Sequence, residues 1–244
     1  MNQTENTAIV LRYANYREND RMLTLLSPTR GLVEAACRGC RRPKSRLLSA
    51  SEIFSLGDYE LYEKGGRFTV TGFTPIESFF PLRGDYDRLT CGVWLLALCE
   101  AAAQPGEPAQ ALFMLLLHTL SRLTFSDQPR TPLLTGFLLH YAVIGGLRPR
   151  LRHCVRCGRE LGMEENAGFD IREGGLCCLS HGEPGMPVIT GAQRRFLQAV
   201  KERPASGWVE DGEHRAPYAL MRRYVEAHLE GKLRATAPEE EEHG

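Results

Sequence analysis

Two short cysteine-bearing turns constrain this chain more than any other feature. Cys154 and Cys157 are separated by two residues, and so are Cys178 and His181 in the run G-G-L-C-C-L-S-H at 174–181. Twenty residues, rich in Gly, Glu and Asn, lie between Cys157 and Cys178. A two-residue spacer lets a tight turn aim two soft ligands at one ion. Two such turns across a gap of this length are the pattern of a zinc ribbon. The segment is too small and polar to bury a core of its own, so the metal supplies its folding free energy, on the order of 10 kcal/mol in isolated fingers. The predicted site is one structural Zn2+ held by Cys154, Cys157, Cys178 and His181. A catalytic zinc needs an open position, and four ligands leave none. Four thiols without an ion is the bland alternative. Cys177 is an apolar position beside the knuckle or a replacement ligand for His181. His153 reads as a surface residue.

A second C-x-x-C, Cys37 and Cys40, stands in A-C-R-G-C-R-R-P-K-S-R at 36–46. If the strand before it continues, positions three apart face opposite sides of the sheet and their thiols cannot share an ion. Gly39 is the residue able to bend the chain and undo that. The pair reads as small residues at a strand end, with redox-active thiols and a metal half-site as alternatives. Around it lie Arg38, Arg41, Arg42, Lys44 and Arg46 with no acid between them, and Pro43 stiffens the loop. Such a loop at the mouth of a small barrel suits a phosphate backbone, although a cation run can also be a solvated loop. A second set, Arg148, Arg150, Arg152, Arg156 and Arg159, surrounds the first knuckle. With 30 basic and 30 acidic residues the net charge is zero, so these clusters imply acidic surface elsewhere and make nucleic acid the expected partner. Tyr13, Tyr16, Phe54, Tyr59, Tyr62 and Phe68 read as core or hairpin packing.

The chain changes character along its 244 residues. Up to about residue 80, short alternating runs separated by S-P-T-R-G at 27–31 and K-G-G at 64–66 predict five strands in a compact antiparallel barrel or sandwich. Residues 84–104, 108–124 and 131–146 have helical periodicity, broken by Q-P-G-E-P and S-D-Q-P-R-T-P. Residues 148–187 are irregular. Helical patterning returns at 190–203 and 214–229, with Thr190 and Gln193 spaced as a capping box. The expected organisation is an α+β multidomain chain: a barrel at 1–80, a helical domain at 81–147, a zinc-binding insertion at 148–187, C-terminal helices at 188–232 packing on the helical domain, and a disordered acidic tail at 233–244. The start MNQTENTAIV lacks the pattern of a signal peptide, and no apolar run nears the roughly 18 residues of a membrane span, so a cytoplasmic protein is expected. There is no Walker A loop, no G-x-G-x-x-G and no G-x-S-x-G elbow, so nothing argues for an enzyme.

The run A-I-V-L-R-Y-A-N-Y-R-E-N-D-R-M-L-T-L-L-S-P-T-R-G-L at 8–32, continued by R-G-C-R-R-P-K-S-R-L at 38–47, resembles the start of the bacterial RecO family. The order of parts agrees: small barrel, helical domain, C-x-x-C, a G-G-x-x-C block and final helices. The resemblance implies an OB-fold at the N-terminus and a non-enzymatic recombination mediator. It implies binding of single- and double-stranded DNA, annealing of complementary strands, and loading of RecA with RecR on DNA coated by single-stranded-DNA-binding protein, in the cytoplasm at the nucleoid. By matching motif, Arg38, Arg41, Arg42, Lys44 and Arg46 become the DNA contacts. Aligning on Gly174 and Gly175 puts Cys178 and His181 at the third and fourth ligand positions. His181 departs from the family's cysteine, which zinc tolerates. Cys37 and Cys40 stand where small residues are usual. The rivals are a zinc-ribbon module binding RNA or protein in the transcription or translation machinery, using the arginines around Cys154, and a thiol redox enzyme using Cys37 and Cys40.

Overall fold

The computed structural model describes residues 3–202, 217–229, 233 and 235–239. The described chain divides into two compact units, Met1–Thr124 with Leu233–Pro238, and Phe125–Lys232 with Glu239–Gly244.

The first unit opens with five strands: β1 (Gln3–Asn15), β2 (Arg21–Ser27), β3 (Gly31–Cys37), β4 (Leu56–Lys64) and β5 (Arg67–Glu77). They close into a barrel in the order β1-β2-β3-β5-β4, an OB-like arrangement. Alternation dictates its interior. Ala8 and Val10, Leu23 and Leu25, Val33 and Ala35, Tyr59 and Leu61, and Val70 all point into one buried cluster. Four ladders are antiparallel as expected, and one departs. β3 pairs with β5 in parallel over only Ala35↔Phe68 and Ala36↔Thr69.

Two helices complete this unit: α1 (Tyr86–Ala102) and α2 (Gln110–Phe125). α1 starts where the Asp85 carboxylate accepts from the amides of Asp87 and Arg88, each at 3.0 Å. It lies against β1, where Arg12 Nε meets Glu100 Oε1 at 3.0 Å. The α1–α2 connection is sewn to the β2–β3 turn, with Leu32 donating to Gln104 O, Gly106 to Arg30 O and Ala109 to Pro28 O. These ties explain why the compact units part at residue 124, past the change in pattern near residue 81, and why α1 and α2 belong with the barrel. Pro238, in the segment expected as a disordered tail, is buried and belongs to this unit.

The second unit holds α3 (Arg130–Ile144), the strands β6 (Ala167–Asp170), β7 (Gly175–Cys177) and β8 (Val188–Ile189), and the helices α4 (Gly191–Glu202) and α5 (Tyr218–Ala227). The strands form a small sheet in the order β7-β6-β8. α4 and α5 both pack on α3. The capping box opens α4: Thr190 N donates to Gln193 Oε1 at 3.0 Å and Gln193 N to Thr190 Oγ1 at 3.2 Å. Part of the helical pattern read at 214–229 lies outside the described residues.

Candidate nucleic-acid interface and metal centre

β3 ends at Cys37, and the basic loop begins there. It is wound as successive three-residue turns: Arg42 N bonds Gly39 O, Ser45 N bonds Arg42 O, Leu48 N bonds Ser45 O and Ser51 N bonds Leu48 O. Leu47 packs on the barrel core, and Cys40 is part of it. This leaves Arg38, Arg41, Arg42, Lys44 and Arg46 all exposed. None forms an ion pair among the described residues. Arg41 instead ties the loop to the β1–β2 turn, its amide donating to Asn19 O at 3.1 Å and its Nη1 to Glu18 O at 2.9 Å. Gly39 N donates to Asp20 Oδ1 at 2.7 Å in the same seam.

Cys37 and Cys40 face one another, which corrects the opposite-face expectation. Gly39, at φ +65, turns the chain so that the alternation of β3 does not reach Cys40. Both thiols are 0% exposed in the barrel core. Burial pushes the Cys37 thiol far above its ordinary range, and Cys40 beside it adds to the rise. A thiol held protonated and away from solvent is a poor nucleophile, so the redox reading has no support here.

The downstream cluster is built from two turns carried by the small sheet. The first is a narrow hairpin: Cys154 N donates to Arg159 O at 2.8 Å, Gly158 N to Cys154 O at 2.9 Å and Leu161 N to Arg152 O at 2.9 Å. It is pinned to β7 by Val155 N to Leu176 O at 2.7 Å. The approach needs glycine at 175, because a Cβ there would stand 2.7 Å from Val155 Cγ1 and 2.8 Å from Arg150 Cβ. The second turn is the single 3-10 turn Leu179–His181, with His181 N bonded to Cys178 O at 2.8 Å.

The two turns bring ligand atoms of Cys154, Cys157, Cys178 and His181 within 4.8 Å of one another. Cys157 Sγ and Cys178 Sγ are 3.8 Å apart, and His181 presents Nδ1 to Cys178 Sγ at 2.8 Å. Zinc–sulfur bonds of about 2.3 Å in a tetrahedron give a sulfur–sulfur edge of about 3.8 Å, so the thiol spacing and the donor set both fit a metal. Cys177 is outside the group, and its thiol donates to His181 O at 3.2 Å. The protonation preferences separate Cys177 from Cys178 and Cys154. The Arg159 amide lowers Cys157, but the neighbouring Cys154 and Cys178 thiols and burial outweigh it and leave that thiol raised. Burial pushes Cys177 up to about 11. Cys178 is held down to about 7, chiefly by the Ser180 hydroxyl. Burial lifts Cys154, but hydrogen bonds led by the Cys178 amide outweigh it and leave the thiol lowered. His153 pairs backbone with Glu160 across the hairpin and is not in the group.

The arginines around this centre differ from those of the basic loop. Arg150 meets Glu173, Arg152 meets Glu202, and Arg159 meets Glu165. Arg156 reaches both Asp170 at 2.8 Å and Glu183 at 2.9 Å. Only Arg148 of the five lacks an ion pair among the described residues. These acids escaped the sequence reading because they lie from 6 (Arg159–Glu165) to 50 (Arg152–Glu202) positions from their partners, without a shared spacing.

Residues 1–79 match the family model described as recombination protein O N terminal, and residues 83–237 match that described as recombination protein O C terminal. The chain belongs to the RecO family. The "DNA repair protein RecO" of Alkaliphilus metalliredigens is 35% identical over 169 residues, covering 69% of this chain and 68% of that protein. The protein of the same name from Anaeromyxobacter sp. strain K is 35% identical over 189 residues, covering 77% and 73%. That of Streptomyces coelicolor is 31% identical over 250 aligned positions, covering 96% and 98%. Membership of the RecO family assigns the chain to recombinational DNA repair. The basic loop falls in the N-terminal match and the Cys3His group in the C-terminal one. No helix among the described residues is long and apolar enough to cross a membrane.

Proposed function

We propose that this RecO-family chain is a DNA-binding recombination mediator whose barrel grips phosphates through the loop of Arg38, Arg41, Arg42, Lys44 and Arg46. The observation that carries the reading is the contrast in charge pairing. The loop's five cations are exposed and free of carboxylates among the described residues, while four of the five arginines at the cysteine centre are already ion-paired. A cation with a carboxylate partner has little to gain from a phosphate. An unpaired one releases the polyanion's counterions when it binds. The contrast also disfavours the rival that places RNA or protein on the arginines around Cys154.

Contacts to backbone alone are blind to sequence and weak one by one. They tolerate single and double strands and let two complementary strands lie on one protein long enough to pair. The reading assigns no chemical step to the chain. It takes RecR and single-stranded-DNA-binding protein as partners, RecA as the recombinase loaded, and the cytoplasm at the nucleoid as the place of action. The Cys3His group would hold one structural zinc through Cys154, Cys157, Cys178 and His181. When bound, that ion supplies folding free energy to its own segment.

The test is a titration of single-stranded oligonucleotide at several salt concentrations. Changing Arg41, Arg42, Lys44 and Arg46 to Ala is expected to weaken binding and flatten log K against log salt by about 0.7 per lost contact. An unchanged slope removes the loop from the DNA surface.

A further inference from the structure

Seven aromatic side chains stand between the start of β1 and the end of β5, and the structure separates one of them from the rest. Phe54 and Tyr59 are 0% exposed, and Tyr13 lies under the guanidinium of Arg21 at 3.8 Å. Tyr62, Phe68 and Phe73 are partly covered. Tyr16 is 50% exposed at the tip of the β1–β2 turn. Its backbone is fixed, with Tyr16 N donating to Asp20 O at 2.8 Å across the turn. Arg17 follows in the left-handed region at φ 72, a conformation an L side chain keeps only where its surroundings enforce it, and one concentrated at functional positions. The Arg17 guanidinium sits 5.4 Å from the centroid of the Tyr16 ring. This contact limits the ring's freedom before any ligand arrives. Arg17 forms no ion pair among the described residues.

The turn and the basic loop are one body. Three hydrogen bonds join them: Arg41 N to Asn19 O, Arg41 Nη1 to Glu18 O and Gly39 N to Asp20 Oδ1. The Asp20 carboxylate is occupied by that amide, which leaves Glu18 as the exposed acid of the turn. Strand register puts Asn15 beside Arg21 and Arg21 beside Cys37, so the turn and the loop leave the same end of the barrel. A pre-positioned ring held beside unpaired cations is the combination that binds single strands, the cations tracking phosphates and the ring stacking on a base.

We propose that Tyr16 is a base-stacking residue for single-stranded DNA and that Arg17 is a sixth phosphate contact of the same surface. The inference rests on the DNA-binding reading of the basic loop and deepens it. Phosphate contacts cannot tell a single strand from its sugar–phosphate skeleton. A stacking residue can, because the bases of a duplex are already stacked on each other.

The experiment compares a fluorescently labelled oligothymidylate with an abasic strand of equal length, using the full chain and its Tyr16→Ala, Tyr16→Phe and Arg17→Ala variants. Tyr16→Ala is expected to weaken thymidylate binding about 5- to 100-fold, with the salt slope kept and abasic binding unchanged. Tyr16→Phe keeps the ring and stays within about twofold of the parent. Arg17→Ala weakens both strands and lowers the slope by about 0.7. Equal thymidylate affinity for the parent and Tyr16→Ala, or an equal loss on the abasic strand, overturns the stacking role. Failure of the parent chain to bind either strand in dilute buffer overturns the DNA-binding reading itself, and this proposal with it.

Discussion

Cys177 and Cys178 are neighbours with opposite chemistry. Successive side chains of a strand leave on opposite faces, so the pairing of Gly168 with Cys177 at the end of β7 turns one thiol inward and the other toward the cluster. Cys177 is buried, pushed up to about 11, and bonded to a carbonyl. Cys178 is held near 7 and touches both Cys157 and His181. Metals bind thiolates, so in the proposed zinc site Cys178 would be the ligand and Cys177 a small core residue. Cys178→Ser is expected to remove bound zinc and sharply lower the melting temperature. Cys177→Ser keeps the zinc and costs on the order of 1 kcal/mol, since the hydroxyl still reaches the His181 carbonyl. Metal content by mass spectrometry, read beside thermal melts, separates the two. Spacing alone showed where the four donors lie along the chain, but it left Cys177 and His181 as alternatives. The deciding fact is strand parity, and parity depends on a register that only the fold provides. Gly39 is the same lesson in reverse: parity across Cys37 and Cys40 was readable, and one left-handed residue cancelled it.

Elements were legible where side-chain period and turn chemistry agreed. The alternation of β2 and β3 and the K-G-G hairpin predicted strands that are present, and the helix ends fall within a few residues of their periodic runs. β1 and β5 run longer than their apolar stretches because the barrel recruits polar residues at both ends, and each carries a register shift. α4 shows what pattern cannot reveal. It looks amphipathic, yet Arg194 on it is fully buried, giving Nη1 to Gly162 O and Glu165 O at 2.6 Å each and Nη2 to Leu161 O at 3.1 Å. α3 meets α4 through another polar contact, His140 Nε2 donating to Val200 O at 2.9 Å. Burial holds the His140 imidazole below its ordinary value, so the unfolded chain binds the proton more readily. This contribution is complete above about pH 6.5 and is lost as pH falls through and below that value. His140→Gln keeps a donor and cannot titrate. Between pH 7 and 5 the parent's melting temperature is expected to fall further than the variant's, and parallel curves would remove the effect. Acid release of metal is common to both proteins and cancels in the comparison.

For the whole molecule, composition misleads. Thirty cations balance thirty acids, yet the balance is local in one unit and absent at one loop of the other. The sequence displayed two arginine-rich stretches as equals, and only three-dimensional pairing distinguishes the neutralised stretch from the exposed one. Family membership was legible in contiguous runs such as 8–32, while the division at residue 124 was not, because the hydrogen bonds joining the α1–α2 connection to the β2–β3 turn link residues about seventy-five positions apart. The barrel carries one more consequence. Its circuit is completed by β3 and β5 over two register pairs, against seven or more where β4 meets its neighbours. Opening free energies follow the local density of such bonds. In native-state deuterium labelling, the amides of Ala35, Ala36, Phe68 and Thr69 that serve this seam should therefore exchange ahead of those in the β1–β4 ladder. A gap there would expose a pair of strand edges at which a foreign strand could insert, and the brevity of the seam marks it as the first place to look for opening of the barrel.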